Sequence, residues 1–379
     1  MVNYVKLGDI GEIFIGLTYK PENVSTEGMI VLRSSNIQDG ELEFNDTVRV
    51  NCPVRENLLV KPNDILMCSR NGSAKLVGKC TMLPRMSEPM TFGAFMTIIR
   101  TPYNSYLRYF FDSSAFRNQI KGSATTTINQ ITRKMLDEIE VPVFDVESQI
   151  RITTQFEKLS KLIAMRKEQL AKLDELVKAR FVEMFGDPQS NPHGYRRTRL
   201  SDIATYFNGL TYKPEDVEEE GTIVLRSSNI QNSQLDFADT VRVGCAIKNR
   251  LMVHENDILM CSRNGSARLV GKVALIKDIQ EPMSFGAFMM IIRSQYFGYL
   301  MTYFQMDAFR QQIKTGATTT INQITGRMLD DVTVPLPPMV LVKQFTTFVE
   351  QTNKTKLTIQ SSLDKLEVMK KALMQEYFG

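Results

Sequence analysis

Over the first 145 residues the apolar positions gather in short runs. Met29–Leu32, Ile65–Cys68 and Met96–Ile99 are bounded by Gly, Asn or Ser and rich in aliphatic side chains. Runs of that length read as buried strands. Tyr106–Ile120 then switches to helical spacing and ends near Gly122. The pattern predicts a mixed α/β domain.

From Glu147 to Phe185 the texture changes. The stretch has no Pro or Gly, and apolar residues fall at Ile152, Phe156, Leu159, Ile163, Leu170, Leu173, Val177 and Met184. The steps alternate between four and three once Arg166 and Arg180 fill the vacant places, which is the seam of a coiled coil. At 1.5 Å per residue such a helix is a rod of roughly 57 Å, and Gly186-Asp187-Pro188 ends it. A second such helix closes the sequence, with seam positions Phe345, Val349, Ile359, Leu363, Leu366, Leu373 and Tyr377, and Thr352, Lys356 and Lys370 as exceptions. The predicted architecture is two similar α/β domains (residues 1–145 and 187–338) and two long helices (146–186 and 339–379). Pairing the helices antiparallel would bury both seams in one molecule and relate the domains by an internal pseudo-two-fold.

The two domains are copies. GLTYKPE at Gly16 returns at Gly209, VLRSSNIQ at Val31 returns at Val224, and NDILMCSRNGSA at Asn63 returns at Asn256. ATTTINQIT at Ala124 returns at Ala317, and the offset is 193 residues each time (209 minus 16). That period is too long for a solenoid unit and suits a domain plus a connector. A duplicated module presents one binding surface twice.

Composition narrows the function. The chain has 379 residues, 43% of them hydrophobic and 23% charged, with no run of membrane-spanning length and no visible signal peptide. Net charge is only +4. Each globular half is near neutral and the excess lies in the connectors, so bulk charge by itself does not argue for nucleic acid. Cys52, Cys68, Cys80, Cys245 and Cys261 form no CxxC pattern and read as core residues in a reducing, cytoplasmic setting. His193 and His254 are the only histidines and do not occupy equivalent positions. A histidine-based catalytic apparatus therefore cannot occur in both copies. Gly72 to Lys79 imitates a phosphate-binding loop, but five residues separate its glycines and no hydroxyl follows the lysine. No metal site and no cofactor of the chain's own is predicted.

Exposed polar residues drift faster than core residues, so shared polar runs are the candidate binding chemistry. Thr18-Tyr19-Lys20, returning as Thr211-Tyr212-Lys213, precedes a proline and reads as a loop. Arg33-Ser34-Ser35-Asn36, returning as Arg226-Ser227-Ser228-Asn229, leaves the end of a strand. Ser69-Arg70-Asn71 returns as Ser262-Arg263-Asn264, with Lys75 and Arg268 just beyond. Thr125-Thr126-Thr127-Ile128-Asn129-Gln130 returns as Thr318-Thr319-Thr320-Ile321-Asn322-Gln323, between two helical stretches. Arg bonds guanine bidentately, Asn and Gln bond adenine, and Ser and Thr hold phosphates. Turn and cap chemistry accounts for the same residue types. The Met-rich tract Phe285–Met290 reads as core.

In order and layout, these features resemble the specificity subunit of a type I restriction–modification enzyme. The carriers are Asn63-Asp-Ile-Leu-Met67 followed by Ser-Arg-Asn-Gly and Val77-Gly-Lys79, Ala124–Gln130 followed by Val141-Pro142, and Ser148-Gln149-Ile150 at the start of the first long helix. The second copy keeps Leu336-Pro337-Pro338 but has Val342-Lys343-Gln344 at its helix start. The resemblance implies a non-catalytic chain whose two target-recognition domains read the halves of a split site on double-stranded DNA. It implies docking of methyltransferase (M) subunits, two of them, which bring S-adenosylmethionine, and of restriction (R) subunits, which bring ATP and Mg. Like domains on a pseudo-two-fold predict a palindromic site. The residues alone leave open a two-headed protein- or glycan-binding adaptor, and an enzyme with a site between the halves.

Overall fold

The computed structural model describes residues 3–38, 40–122, 130–315 and 323–379. It divides into two compact units, residues 1–167 with 361–379, and residues 168–360.

In the first unit an antiparallel sheet runs in the order Glu12–Ile15, Met96–Arg100, Ile65–Cys68, Cys80–Met82. A second sheet runs Met90–Phe92, Met29–Leu32, Val48–Val50, Val24–Ser25, with its first two strands parallel. Successive side chains of a strand face opposite ways. Leu66 and Ile98 accordingly join Ile30, Leu32 and Phe92 of the second sheet in one core. Ile65, Met67 and Ile99 face helices instead, packing with Tyr106, Leu107 and Phe110. The first sheet is thus covered on both faces, which is why Ile65–Cys68 is an unbroken apolar run. A ribbon of Asn3–Lys6 against Glu140–Val143 joins the domain's two ends.

The Tyr106–Ile120 stretch is two helices, Asn104–Phe110 and Ser114–Gly122. Between them Ser113 Oγ accepts the amide of Phe116 at 3.3 Å, the local side-chain bond that starts a new helix.

The second unit repeats the design. Its first sheet runs Thr205–Asn208, Met289–Arg293, Ile258–Cys261, Val273–Leu275, and its second Met283–Phe285, Thr222–Leu225, Arg242–Val243, Val217–Glu218. Arg197–Arg199 pairs with Thr333–Pro335.

The long helices are Val146–Phe185 and Met339–Phe378. Gly186 follows the first at φ +75°, the left-handed conformation in which glycine ends a helix. The helix starts differ. Asp145 accepts the Ser148 amide at 2.8 Å, and this bond holds its carboxyl below the usual range. At the start of Met339–Phe378, Pro338 offers only its carbonyl, to Leu341 at 3.0 Å and Val342 at 3.2 Å.

Both helices contribute to each unit. In the first, Phe156 stacks on Phe378 with centroids 6.1 Å apart, and Lys167 pairs with Glu367 at 3.6 Å. In the second, Phe181 meets Phe345 edge-on at 5.6 Å, and Lys356 pairs with Asp174. Numbers rise on one helix as they fall on the other, so the segments within each unit are antiparallel. Among the described residues no helix is long and apolar enough to cross a membrane.

Candidate nucleic-acid interface

Residues from all four duplicated polar runs meet at one cleft of the second unit, about 900 Å³ in volume. Its lining includes Thr211, Tyr212, Arg226, Ser227, Ser228, Asp239, Ser262, Arg263, Phe288 and Gln323, and does not include Lys213, Asn264 or Arg268.

A close approach of two glycines fixes the first loop. The Leu210 amide donates to the Phe285 carbonyl at 2.7 Å, tying the strand that ends at Asn208 to the other sheet. A Cβ on Gly209 would stand 2.2 Å from the Gly286 carbonyl oxygen, and one on Gly16 would stand 2.2 Å from that of Gly93. Only glycine permits this contact. Gly209→Ala is expected to lower stability by ~1–3 kcal/mol through forced backbone movement. A thermal melt matching wild type would contradict this.

The second run forms a one-turn helix, Ser227–Asn229. Asn229 is fully buried, accepts the Arg226 amide at 2.8 Å, and donates to the carbonyls of Asp236 and Asp239 at 2.8 and 3.0 Å. Asn36 makes the same three bonds to Arg33, Glu43 and Asp46. These bonds are made inside the fold, so Asn36 and Asn229 shape the turn. Ser69 and Ser262 are likewise buried, with their amides bonded to the carbonyls of Phe95 and Phe288. Ser34 and Ser227 accept bonds from Asn71 and Asn264 at 3.3 and 3.2 Å, which joins the second and third runs.

Arg226 pairs with Asp239 at 2.7 Å, and Arg33 with Asp46 at 2.7 Å. In both arginines the Nε is buried without a hydrogen-bond partner. The same donor is thus unmet at the same place in both domains. Lys20 and Lys213 are highly exposed and lie 3.4 and 3.7 Å from Glu22 and Glu215, pairs that contribute little. Tyr19, Tyr212, Ser35 and Ser228 are half-buried, and Lys75 and Arg268 are exposed. Arg70 bridges Gln130 and Arg263 bridges Gln323 through their backbones. Thr125, Thr126, Thr127, Asn129, Thr318, Thr319, Thr320 and Asn322 lie outside the described residues.

Burial pushes the Cys68 and Cys261 thiols up, and each donates to a carbonyl, of Arg70 and Arg263, at 3.6 Å. Cys52 and Cys245 are only partly buried, unlike the other three. Lys79, the lysine of the phosphate-loop lookalike, donates to the Ile37 carbonyl and is held inside the domain. Among the described residues no cluster of three or more His, Cys, Asp or Glu could hold a metal. Two lining residues were not legible as such. Phe288 lies in a tract read as core yet is 59% exposed, like Phe95. Asp239 stands outside every shared run, although Asp46 recurs in it at the repeat offset.

Residues 192–372 match the family of the type I restriction modification DNA specificity domain. The chain is similar to the type I restriction specificity subunits. It is 25% identical over 366 residues to the EcoKI specificity subunit of Escherichia coli, covering 89% of this chain and 78% of that one. It is 26% identical over 280 residues to the StySPI specificity subunit of Salmonella potsdam, covering 68% and 60%. Two solved structures share the fold. One is the S subunit of M. genitalium (TM-score 0.57, 15% identity, 100% of this chain and 96% of that one). The other is a chain of a type I R–M system (TM-score 0.56, 17% identity, 100% and 97%). Specificity subunits are the non-catalytic components of their enzymes. The family match falls on the second copy and most of the helix after it, and the first copy repeats the second at an offset of 193 residues (209 minus 16).

Proposed function

We propose that the chain is the DNA-recognition subunit of a type I restriction–modification enzyme, and that its two domains read the same half-site in opposite senses. One observation carries the reading: the same constellation is built twice, residue for residue. Arg33–Asp46 answers to Arg226–Asp239, Asn71–Ser34 to Asn264–Ser227, and Arg70–Phe95 to Arg263–Phe288.

The division into recognition domains 1–145 and 187–338 and helices 146–186 and 339–379 belongs to this reading. So does a pseudo-two-fold, which the antiparallel helix segments of each unit support. The helices serve as spacer and as the dock for two M subunits, with R subunits added to the complex. S-adenosylmethionine, ATP and Mg belong to those partners, and the assembly acts in the cytoplasm. Domains this close to neutral leave much of the phosphate contact to the M subunits.

Single-molecule sequencing of the source cell's DNA tests the proposal. The expected motif is a half-site, a fixed spacer and the inverted half-site, with centres about one helical turn, ~10 bp, apart. Two unrelated half-sites overturn the palindrome. Methylation unchanged when the gene is deleted overturns the DNA role.

A further inference from the structure

We propose that Arg70 and Arg263 each read one guanine in the major groove, and that Phe95 and Phe288 are the platforms that hold them ready. This rests on the DNA reading above and assigns the base contact within it.

Phe95 and Phe288 are each 59% exposed, although Phe92, Met96, Phe285 and Met289 around them are buried. A phenylalanine left in water at equivalent places in both copies has no packing reason to persist. Each instead lies under a guanidinium: Arg70 Cζ is 5.7 Å from the Phe95 centroid, and Arg263 Cζ is 5.5 Å from that of Phe288. The backbones are locked as well. The Phe95 carbonyl accepts the amides of Ser69 and Arg70 at 2.9 and 3.1 Å, and the Phe288 carbonyl accepts those of Ser262 and Arg263 at 2.9 and 3.0 Å.

The two pairs of arginines at this surface differ. Arg33 and Arg226 are tied to Asp46 and Asp239. Among the described residues no carboxylate pairs with Arg70 or Arg263, and both are exposed. A guanidinium resting on an aromatic ring is held by cation–π attraction while its donor edge stays clear. That planar edge matches the O6 and N7 acceptors of guanine bidentately. Preorganisation removes part of the ordering cost of forming the contact. A phosphate, the rival ligand, takes the same fork bidentately but carries no base information.

The test uses the whole chain expressed with the methyltransferase subunit of its own locus, with methylation mapped by single-molecule sequencing. In wild type each half-site should contain a G·C pair. Arg263→Ala should relax one G·C position of one half-site, with discrimination falling roughly 10- to 100-fold, and Arg70→Ala should relax the matching position of the other half. Phe288→Leu should relax the same position less, and Phe288→Tyr should restore it. Half-sites without G·C pairs overturn the assignment. So does an Arg263→Ala motif that is unchanged while methylation falls equally at all sites, which is the signature of a phosphate contact. A Phe288→Leu motif identical to wild type overturns the platform role. A wild-type chain that directs no motif overturns the DNA reading and this assignment with it.

Discussion

Replacing Asp257 with alanine is expected to destabilise the second unit by about 3–5 kcal/mol, and Asp64→Ala to do the same in the first. Asp257 is 1% exposed and accepts Arg293 Nε and Nη2 at 2.7 Å each, together with the His254 amide at 2.8 Å. Asp64 makes the equivalent bonds to Arg100 at 2.7 and 2.6 Å and to the Lys61 amide at 2.8 Å. Each arginine also covers an aromatic ring, Arg293 over Phe207 at 5.5 Å and Arg100 over Phe14 at 4.9 Å. Bonding to the carboxylate raises the pKa of both guanidiniums further. Each stays charged, and removing the buried carboxylate leaves a partly buried guanidinium without its anion.

The mechanism makes a second claim that separates it from simple loss of packing. The double variant Asp257→Ala/Arg293→Met should be more stable than Asp257→Ala alone, because the stranded cation is gone. Denaturant midpoints for the set measure both effects. A cost for Asp257→Ala below about 1 kcal/mol, or a double variant no better than the single, would refute the account.

This pair shows where sequence reading stops. Asp64 sits in a phrase present in both copies and carries the family resemblance, yet its partner lies at Arg100, on the neighbouring strand. Spacing along the chain does not give that pairing. Register does: Ile65 stands opposite Ile99, which brings the adjoining positions together. What the residues did reveal were features set locally. The four-residue apolar runs are strands because both faces of their sheet are covered. The first three polar runs lie just beyond strand ends because Gly, Asn and Ser stop strands.

Residue type alone does not fix burial; tertiary structure does. Asn36 and Asn229 look like surface residues in a polar run but are buried and bonded within the fold. Phe288 looks like a core residue in an apolar tract but faces solvent, as does its counterpart Phe95. The fracture at Ser113 was invisible because helical spacing continues across it. The cleft depends on Gly209 meeting Gly286, a contact between distant strands that no local pattern encodes and that Gly16 and Gly93 repeat in the first unit. Duplication was the one signal that reached across the chain, since Phe288 and Asp239 each recur at the offset.

Truncating the aromatic anchors of the long helices should have the other large effect. Phe181 is fully buried, stacks on Tyr299 at 5.0 Å, and meets Phe185 at 5.0 Å and Phe345 at 5.6 Å. Phe181→Ala is expected to cost about 3–5 kcal/mol, the range for deleting a buried ring that its neighbours cannot collapse to fill. Phe156, buried between Tyr109 at 4.5 Å and Phe378 at 6.1 Å, should cost the same in the first unit. Leu170, a half-buried seam position, should cost far less. Hydrogen exchange locates the damage: Phe181→Ala should deprotect strand Ile258–Cys261 while Ile65–Cys68 keeps its protection, and Phe156→Ala should do the reverse. Equal loss in both strands would show that the helices fold as an independent rod. Unit-specific loss would mean that each helix end is part of a domain core. The helices would then be extensions of the domain cores.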